Sequence, residues 1–348
     1  MRKSLFYLGV LLVGCGGSGN NTPPAQVVED PYTWQERLTG LPNVLNAVTV
    51  NTVQSGFIAV GNGGTIMASD DGLTWANQVS GTSVDLNFVT CYRSNSGMGI
   101  PARCFAAGGA GTILATSTDG SGTWTTWFDG PDNVSLNFFY WRHLSGFAVG
   151  TVVTTDVPCI LQGNFLYGPW TMVEPLAQSG LYITDLAIRA QDTEDPLVRQ
   201  YIAAVEAPFP EQAKVLVSND LLTWVEVFVS DDHGSTYSIM DSWVSGSSGK
   251  MYASDDGINW TQYQTPATQS NLVAMASRAG ILMAHGFSES IGMGEQVGVA
   301  TSDDGATWQM FVIGAAYEPR GLAYNNRRWV SVGQTLAEPG RGAIFTTQ

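Results

Sequence analysis

Charge is what this 348-residue sequence has least of: Asp, Glu, Lys and Arg together make up 13% of it, against about 25% in an average soluble domain. The basic half is scarcer, with 15 Lys and Arg against 30 Asp and Glu and a formal net charge of −15. A chain so acidic argues against nucleic acid or anionic lipid as a partner for the folded domain, and is compatible with cations, basic proteins or neutral glycans. Histidine is nearly absent, with three residues, and cysteine numbers four. No long amphipathic stretch of helical period appears, and no apolar run approaches the ~20 residues that a membrane-crossing helix needs. HExxH, GxSxG, P-loop and CxxC patterns are all missing, which removes the commoner metalloprotease, hydrolase, NTPase and redox readings.

What the sequence has in abundance is glycine, 40 residues, and aromatic side chains at 11%. Both gather around one short stretch, SDDGLTW at Ser69 to Trp75. It returns as STDGSGTW ending at Trp124, SNDLLTW at Trp224, SDDGINW at Trp260 and SDDGATW at Trp308. Each copy has the parts of a tight hairpin turn: an Asp that accepts backbone N–H bonds, and in most a Gly that tolerates positive φ. The Trp then starts the next strand as an anchor with roughly 150–250 Å² to bury. YGPW at Trp170 and DPYTW at Trp34 complete a series of seven. Their spacing suits a propeller blade of about 40–50 residues. The last unit, after Trp308, stops before any turn-plus-Trp, so the segment Asp30 to Trp34 is predicted to supply its missing strand. The fold class expected is all-β: a closed ring of seven four-stranded antiparallel blades, whose closure removes the two open edges that a stack of sheets would leave.

The repeat resembles the Asp-box, or BNR repeat, of sialidases, sortilin-type receptors and photosystem II assembly-factor-like propellers. The assembly-factor-like pattern matches best, because AVGNGGTIMASDDGLTW and AAGGAGTILATSTDGSGTW both follow (A/V)xGxxGTIxxSxDGxxW. The resemblance implies a fold rather than an activity, since such propellers host enzymes, receptors and scaffolds alike. Tested at residues, the sialidase likeness does not extend to the chemistry. No FRIP-like motif precedes the first copy, and Arg142 and Arg320 near inner strands do not make an arginine cluster.

The N-terminus reads as targeting rather than fold. MRK precedes a short apolar run, Leu5 to Val13, suited to a signal-peptide core. LVGC, Leu12 to Cys15, resembles the lipobox of bacterial lipoproteins, which implies cleavage before Cys15 and acylation there. The Gly/Ser/Asn/Pro-rich segment that follows reads as a tether. The division expected is therefore a signal peptide over 1–14, a tether over 15–29 and the propeller over 30–348. The place expected is the cell envelope of a bacterium, with Gly16 after the cysteine pointing to the outer membrane. Cys91 closes the predicted inner strand LNFVTCY and Cys104 lies in the next strand, ARCFAAG, so the two are predicted to form a disulfide. Cys159 is read as a small buried hydrophobe.

The Asp residues of the turns, Asp71, Asp119, Asp220, Asp256 and Asp304, fall between third and fourth strands, on the rim and far apart. They are read as structural, and no catalytic residue, metal or cofactor is assigned. Function is expected at the mouth of the axial channel, where links between second and third strands and between blades meet. The longer links there carry Glu206, Phe209, Glu289 and Arg341, and the inter-blade links carry Asp185, Tyr182, Tyr237, Glu318 and Arg320. The function expected is a non-catalytic, membrane-tethered, monomeric propeller that binds a protein partner or assists assembly of an envelope complex. An exported glycan-active or glycan-binding protein and a surface adhesin are the alternatives.

Overall fold

A computed structural model describes residues 32–92, 102–116, 123–142, 145–164, 170–173, 182–190, 199–206, 212–233, 239–240, 243–245, 250–254, 256–264, 270–278, 281–288, 296–302, 307–312 and 317–348. Those residues form seven four-stranded sheets, and in six of them the strands pair with their neighbours in chain order. The inner strands are Leu45–Val50, Leu86–Tyr92, Val134–Arg142, Tyr182–Ala190, Ile239–Met240, Ser270–Arg278 and Tyr317–Tyr324, of blades 1 to 7 respectively. Each inner strand touches the inner strand of the next blade, and that of blade 7 touches that of blade 1, so the ring is closed. The molecule is a seven-bladed β-propeller.

Closure uses both ends of the described chain. Blade 7 is Tyr317–Tyr324, Trp329–Thr335 and Gly342–Thr347, and its outer strand is Trp34–Leu41. Trp34 lies opposite Thr347 and Leu41 opposite Gly342, while the Gln348 amide donates to the Thr33 carbonyl at 3.1 Å. The segment Asp30 to Trp34 expected from the sequence is thus the entrance to this strand. Most of the strand runs on beyond it to Leu41, and residues 30 and 31 lie outside the described residues.

The sequence makes blades rather than a sandwich because its second and third strands are apolar on both faces. Phe57–Gly61 and Gly342–Thr347 are buried at every position, and Ile113–Thr116 likewise. Such strands need cover on both sides, which the two neighbouring blades supply. Outer strands such as Ala76–Gln78 are polar and largely exposed.

The core is therefore a set of wedges between blades, and six of the seven repeat Trp residues lie in the wedge shared with the preceding blade. Trp75 packs with Phe57 and Met67 of its own blade and Val330 and Ile344 of blade 7. Trp124, Trp170, Trp224 and Trp260 occupy the following four wedges, and Trp34 the wedge between blades 6 and 7. Trp124 is 4% exposed, and its indole Nε1 donates to Gln78 Oε1 of blade 1 at 2.7 Å. Burying its ring contributes roughly 4–6 kcal/mol of transfer free energy as an upper value.

Two local expectations differ from the structure. YSIMDSW, Tyr237 to Trp243, read as one inner strand, is divided: Ile239–Met240 is the inner strand and Trp243 opens the second strand, Trp243–Ser245. GTVVTTDVPC, Gly150 to Cys159, read as a long link, is mostly strand: only residues 153–156 turn between Ser145–Val152 and Val157–Asn164. The alternation of β-branched and small residues there continues the ladder, so the link needs no more than a tight turn. Cys91 and Cys104 face each other across the first two strands of blade 2 and are disulfide-bonded, and Cys159 is buried and takes no part in a disulfide.

Candidate functional site

The end of the ring at which the inner strands begin has a feature repeated from blade to blade. Six of the seven inner strands carry one extra residue against the second strand: Asn46, Asn87, Asn137, Thr184, Val273 and Arg320. Such a bulge bends a strand and re-aims the side chain it carries. Here the described bulge side chains link one blade to the next. Asn46 Nδ2 donates to the Leu86 carbonyl at 3.0 Å, and Asn87 Nδ2 donates to the Leu136 carbonyl at 3.0 Å. Leu86 and Leu136 each precede the next bulge, so the same contact recurs one blade on. Arg320 closes the series from blade 7, its Nη1 donating to Asn46 Oδ1 at 3.1 Å.

Glycine makes the bulges possible. Gly61, Gly108, Gly150 and Gly333 end the short glycine-terminated runs of four second strands, and each abuts the backbone just before a bulge. A Cβ on them would drive into the carbonyl oxygens of Val44, Asp85, Ser135 and Glu318 respectively. These glycines are required by close approach, since Gly61 itself has an extended φ of −166°.

Around this ring the mouth is polar. The Gly63 amide donates to Asp85 Oδ1 at 2.7 Å, tying the link between second and third strands of blade 1 to the entrance of blade 2. Glu318 accepts from Gln334 Nε2 and pairs with Arg320 Nη2 at 3.3 Å. Arg341 pairs with Glu338 at 3.3 Å and donates through Nη1 to the Gly40 carbonyl at 3.2 Å. Both ion pairs are half-exposed and contribute about 0–1 kcal/mol each, so they orient side chains more than they stabilise the fold. Next in sequence to the Asn87 and Asn137 bulges, the partly buried rings of Phe88 and Phe138 lie 5.0 Å apart and pack against the wedges of blades 2–3 and 3–4.

The sequence-derived site residues are distributed as follows. Glu318, Arg320 and Arg341 lie at this mouth, the first two bonded to each other and Arg341 held within its own link. Tyr182 and Asp185 sit at the start of the blade 4 inner strand, with Tyr182 in register with Glu206 at the end of the second strand. The strands place all three at the mouth end, and their side chains lie outside the description. Phe209, Tyr237, Glu289 and Cys15 lie outside the described residues. Asn46, Asn87, Asn137 and Gln334 stand in the described mouth network, whereas the sequence reading had named Asn137 only as an inter-blade residue. The signal for the three asparagines was present as the thrice-repeated Leu-Asn in VLNAV, DLNFV and SLNFF.

The opposite end of the ring holds the Asp turns, and their bonding explains the repeat. In blade 1, Asp71 Oδ1 accepts from the amides of Leu73 at 2.7 Å and Thr74 at 2.9 Å, while Ser69 Oγ accepts from Gly72 at 2.7 Å. Asp220 and Asp256 make the same bonds to Leu222 and Thr223, and to Ile258 and Asn259. The turn's φ is positive at Gly72 (76°) and Gly257 (74°), and at 65° for Leu221, which takes the glycine position in blade 4. Leu221 is buried in the wedge between blades 3 and 4, which offsets the roughly 1–2 kcal/mol that a left-handed leucine costs. The amide of Thr74 and then that of Leu73 hold Asp71 below the usual carboxylate range, and Thr223 and Leu222 bring Asp220 to about 2. Asn259 and Ile258 lower Asp256 in the same way. Such carboxylates stay ionised at neutral pH and have no proton to give, so they are turn anchors rather than acids for catalysis. Asp119 and Asp304 lie outside the described residues. Among the described residues no three His, Cys, Asp or Glu side chains converge to hold a metal ion, and no helix is long and apolar enough to cross a membrane.

Comparison with known proteins places the fold. The chain is similar to the solved structure "YCF48 bound to D1 peptide", with a TM-score of 0.65 and 15% identity, covering 93% of this chain and 98% of that one. It is also similar to the WD40 β-propeller domain of Doa1, with a TM-score of 0.56 and 11% identity over 90% of this chain and 97% of that one. The β-propeller domain of Cps50 (Swd1) from Myceliophteria thermophila gives a TM-score of 0.54 and 14% identity over 88% and 98%. At these identities the likeness carries the propeller architecture and nothing finer. No family model matches the sequence, and no curated protein does.

Proposed function

We propose that this chain is a non-catalytic propeller that binds a segment of another protein at the mouth where its inner strands begin, and that it assists assembly of a complex in the cell envelope. The observation that carries the reading is the ring of bulges. It sets amide and charged side chains at the entrance to the channel on a scaffold tied blade to blade, which is how a rigid frame presents a binding surface. The turns at the other end are read as Asp-box (BNR) repeats with an architectural role, supported by the same three bonds in blades 1, 4 and 5. The similar structure whose title records a bound D1 peptide supports a protein partner by analogy of fold alone. Residues 1–14 are read as a signal peptide and Cys15 as a lipid attachment site that tethers the propeller to the outer membrane as a monomer.

A photo-crosslinker placed at Asn137 is expected to capture one defined envelope protein, while the same group at Asp220, on the opposite end, captures none. Equal capture from both positions, or hydrolysis of a glycoside panel by the purified protein, overturns the proposal. A glycan ligand is the second reading, favoured by the Phe88 and Phe138 rings next in sequence to the Asn87 and Asn137 amides. Saturable binding of an oligosaccharide that is lost in Phe138→Ala would put it first.

A further inference from the structure

We propose that the end of the ring opposite the mouth is a membrane-resting face, whose turn tips in blades 4 and 5 touch a zwitterionic lipid surface and leave the mouth directed away from it. This rests on the reading of Cys15 as a lipid attachment site, and goes beyond a tether that acts through its lipid alone.

The first observation is where the chain enters. Trp34 pairs with Thr347, and the Thr33 carbonyl accepts from Gln348, at the far end of blade 7 from the mouth-side pair Leu41 and Gly342. Everything before residue 32 therefore joins the propeller at the end that carries the Asp turns. The second is which turn tips are apolar. Leu222 is 52% exposed and Ile258 53% exposed, and they hold the same position of the turn in adjacent blades. Val225, first residue of the strand after the blade 4 turn, is 57% exposed. Blades 4 and 5 stand three and two places round the ring from blade 7, so the entry point and the apolar tips are separate points of support on the same face.

The third observation is the placement of charge. Arg327 and Arg328 occupy the link between the first two strands of blade 7, beside the entry point. Arg327 is exposed, and Arg328 Nη1 donates to the Thr347 carbonyl at 3.1 Å. A guanidinium there suits the phosphate of a lipid headgroup. Among the described residues the acids of the same end are Asp70, Asp71, Asp220 and Asp256, the last three already engaged by turn amides. Their charge disfavours a strongly anionic surface, which is why the proposal names a zwitterionic one. The mouth is the more acidic end: Asp85, Asp129, Asp132 and Asp156 are exposed there, its Arg320 and Arg341 are each paired with a glutamate, and its exposed valines, Val79 and Val153, share their face with those acids. Side chains that insert into a headgroup layer are apolar with a cationic margin, and acids stay in water.

The test uses the full chain, acylated through its own leader and bound to phosphatidylcholine–phosphatidylethanolamine vesicles. Because Cys91 and Cys104 are bonded to each other and Cys159 is buried, a cysteine introduced at the surface can be labelled selectively. Leu222→Cys, Ile258→Cys, Val79→Cys and Val153→Cys are each labelled with an environment-sensitive fluorophore and quenched with aqueous iodide. A Cys15→Ser background provides the unanchored reference. The expected result is several-fold weaker quenching at 222 and 258 on vesicles than in the reference, with no change at 79 and 153. Floating protein whose four labels quench equally, or whose mouth labels are the shielded ones, overturns the face assignment and leaves the anchor standing. A chain that does not float with vesicles removes the anchor, and the face assignment falls with it.

Discussion

Replacing Gly61 by alanine separates two reasons for a glycine, steric approach and positive φ. Gly61 has an extended φ of −166°, which any residue adopts. Its new methyl would instead meet the Val44 carbonyl oxygen well inside contact distance, with Leu45 Cα and Val44 C at 2.9 Å. These atoms belong to the backbone before the Asn46 bulge, and no side chain can rotate away to make room. Overpacking of this kind costs about 1–3 kcal/mol, and relief of unfolded-chain entropy returns about 0.4–1 kcal/mol. Because the overlap is with backbone, the upper end of the cost applies and the expected net loss is about 2 kcal/mol. With an unfolding entropy of ~2.1 cal/mol/K per residue over about 300 residues, that lowers Tm by ~3 °C. Gly81 is the control, having a φ of 75° and nothing within 4 Å of a built Cβ, so alanine there costs ~1 kcal/mol from conformation alone. Urea unfolding followed by tryptophan fluorescence ranks the two. A Gly61→Ala protein within 0.5 kcal/mol of the parent, or no less stable than Gly81→Ala, would refute the close-approach account, and Gly150→Ala and Gly333→Ala should repeat the Gly61 result.

Asn87→Ala removes bonds to Ser135, Leu136 and Asn137 across the blade 2–3 boundary and is expected to cost about 1–2 kcal/mol by chemical denaturation. Asn87→Asp should cost more, because a carboxylate would face the Leu136 carbonyl; equal stability of the two would remove the donor role of Nδ2. Asp220 titrates at about 2 when folded and near 4 when unfolded, so its stabilising contribution is full above pH ~4 and is lost as pH falls toward about 2. Acid unfolding monitored through the turn tryptophans should begin at higher pH in Asp220→Asn, and an unchanged acid limb would refute the turn-anchor role. Cys91 and Cys104 are 13 residues apart in sequence, and opening that loop by Cys91→Ala with Cys104→Ala is expected to cost up to about 3 kcal/mol. A loss under 0.5 kcal/mol in non-reducing urea titrations would show that the strand pairing alone holds the loop.

The period of the tryptophans and the incomplete last repeat made the ring, its seven blades and its closure legible, because each depends on spacing along the chain. The Asp turns were legible for the same reason: their bonds run between residues two and three apart. The mouth was only partly legible. Glu318, Arg320 and Arg341 could be placed at one end of the ring, but their partners Gln334, Asn46 and Gly40 come from other strands, and for the last two from the other end of the sequence. The bulges were not foreseen, since an extra residue leaves the apolar alternation of a short inner strand nearly intact. The division between Ile239–Met240 and Trp243–Ser245 has a signal in the sequence, since the polar pair Asp241 and Ser242 interrupts the apolar residues there.

The outer strand of blade 7 is made first and paired last. Trp34–Leu41 meets Gly342–Thr347 only when the whole polypeptide exists, and at about 5–20 residues per second some 15–60 s of synthesis separate the two. During that interval the early strand has no mate, because the other three strands of its blade are the last to be made, so a neighbouring copy that has just finished its own could take it up. A chain closes on itself only if it reaches its own tail before it reaches a neighbour's.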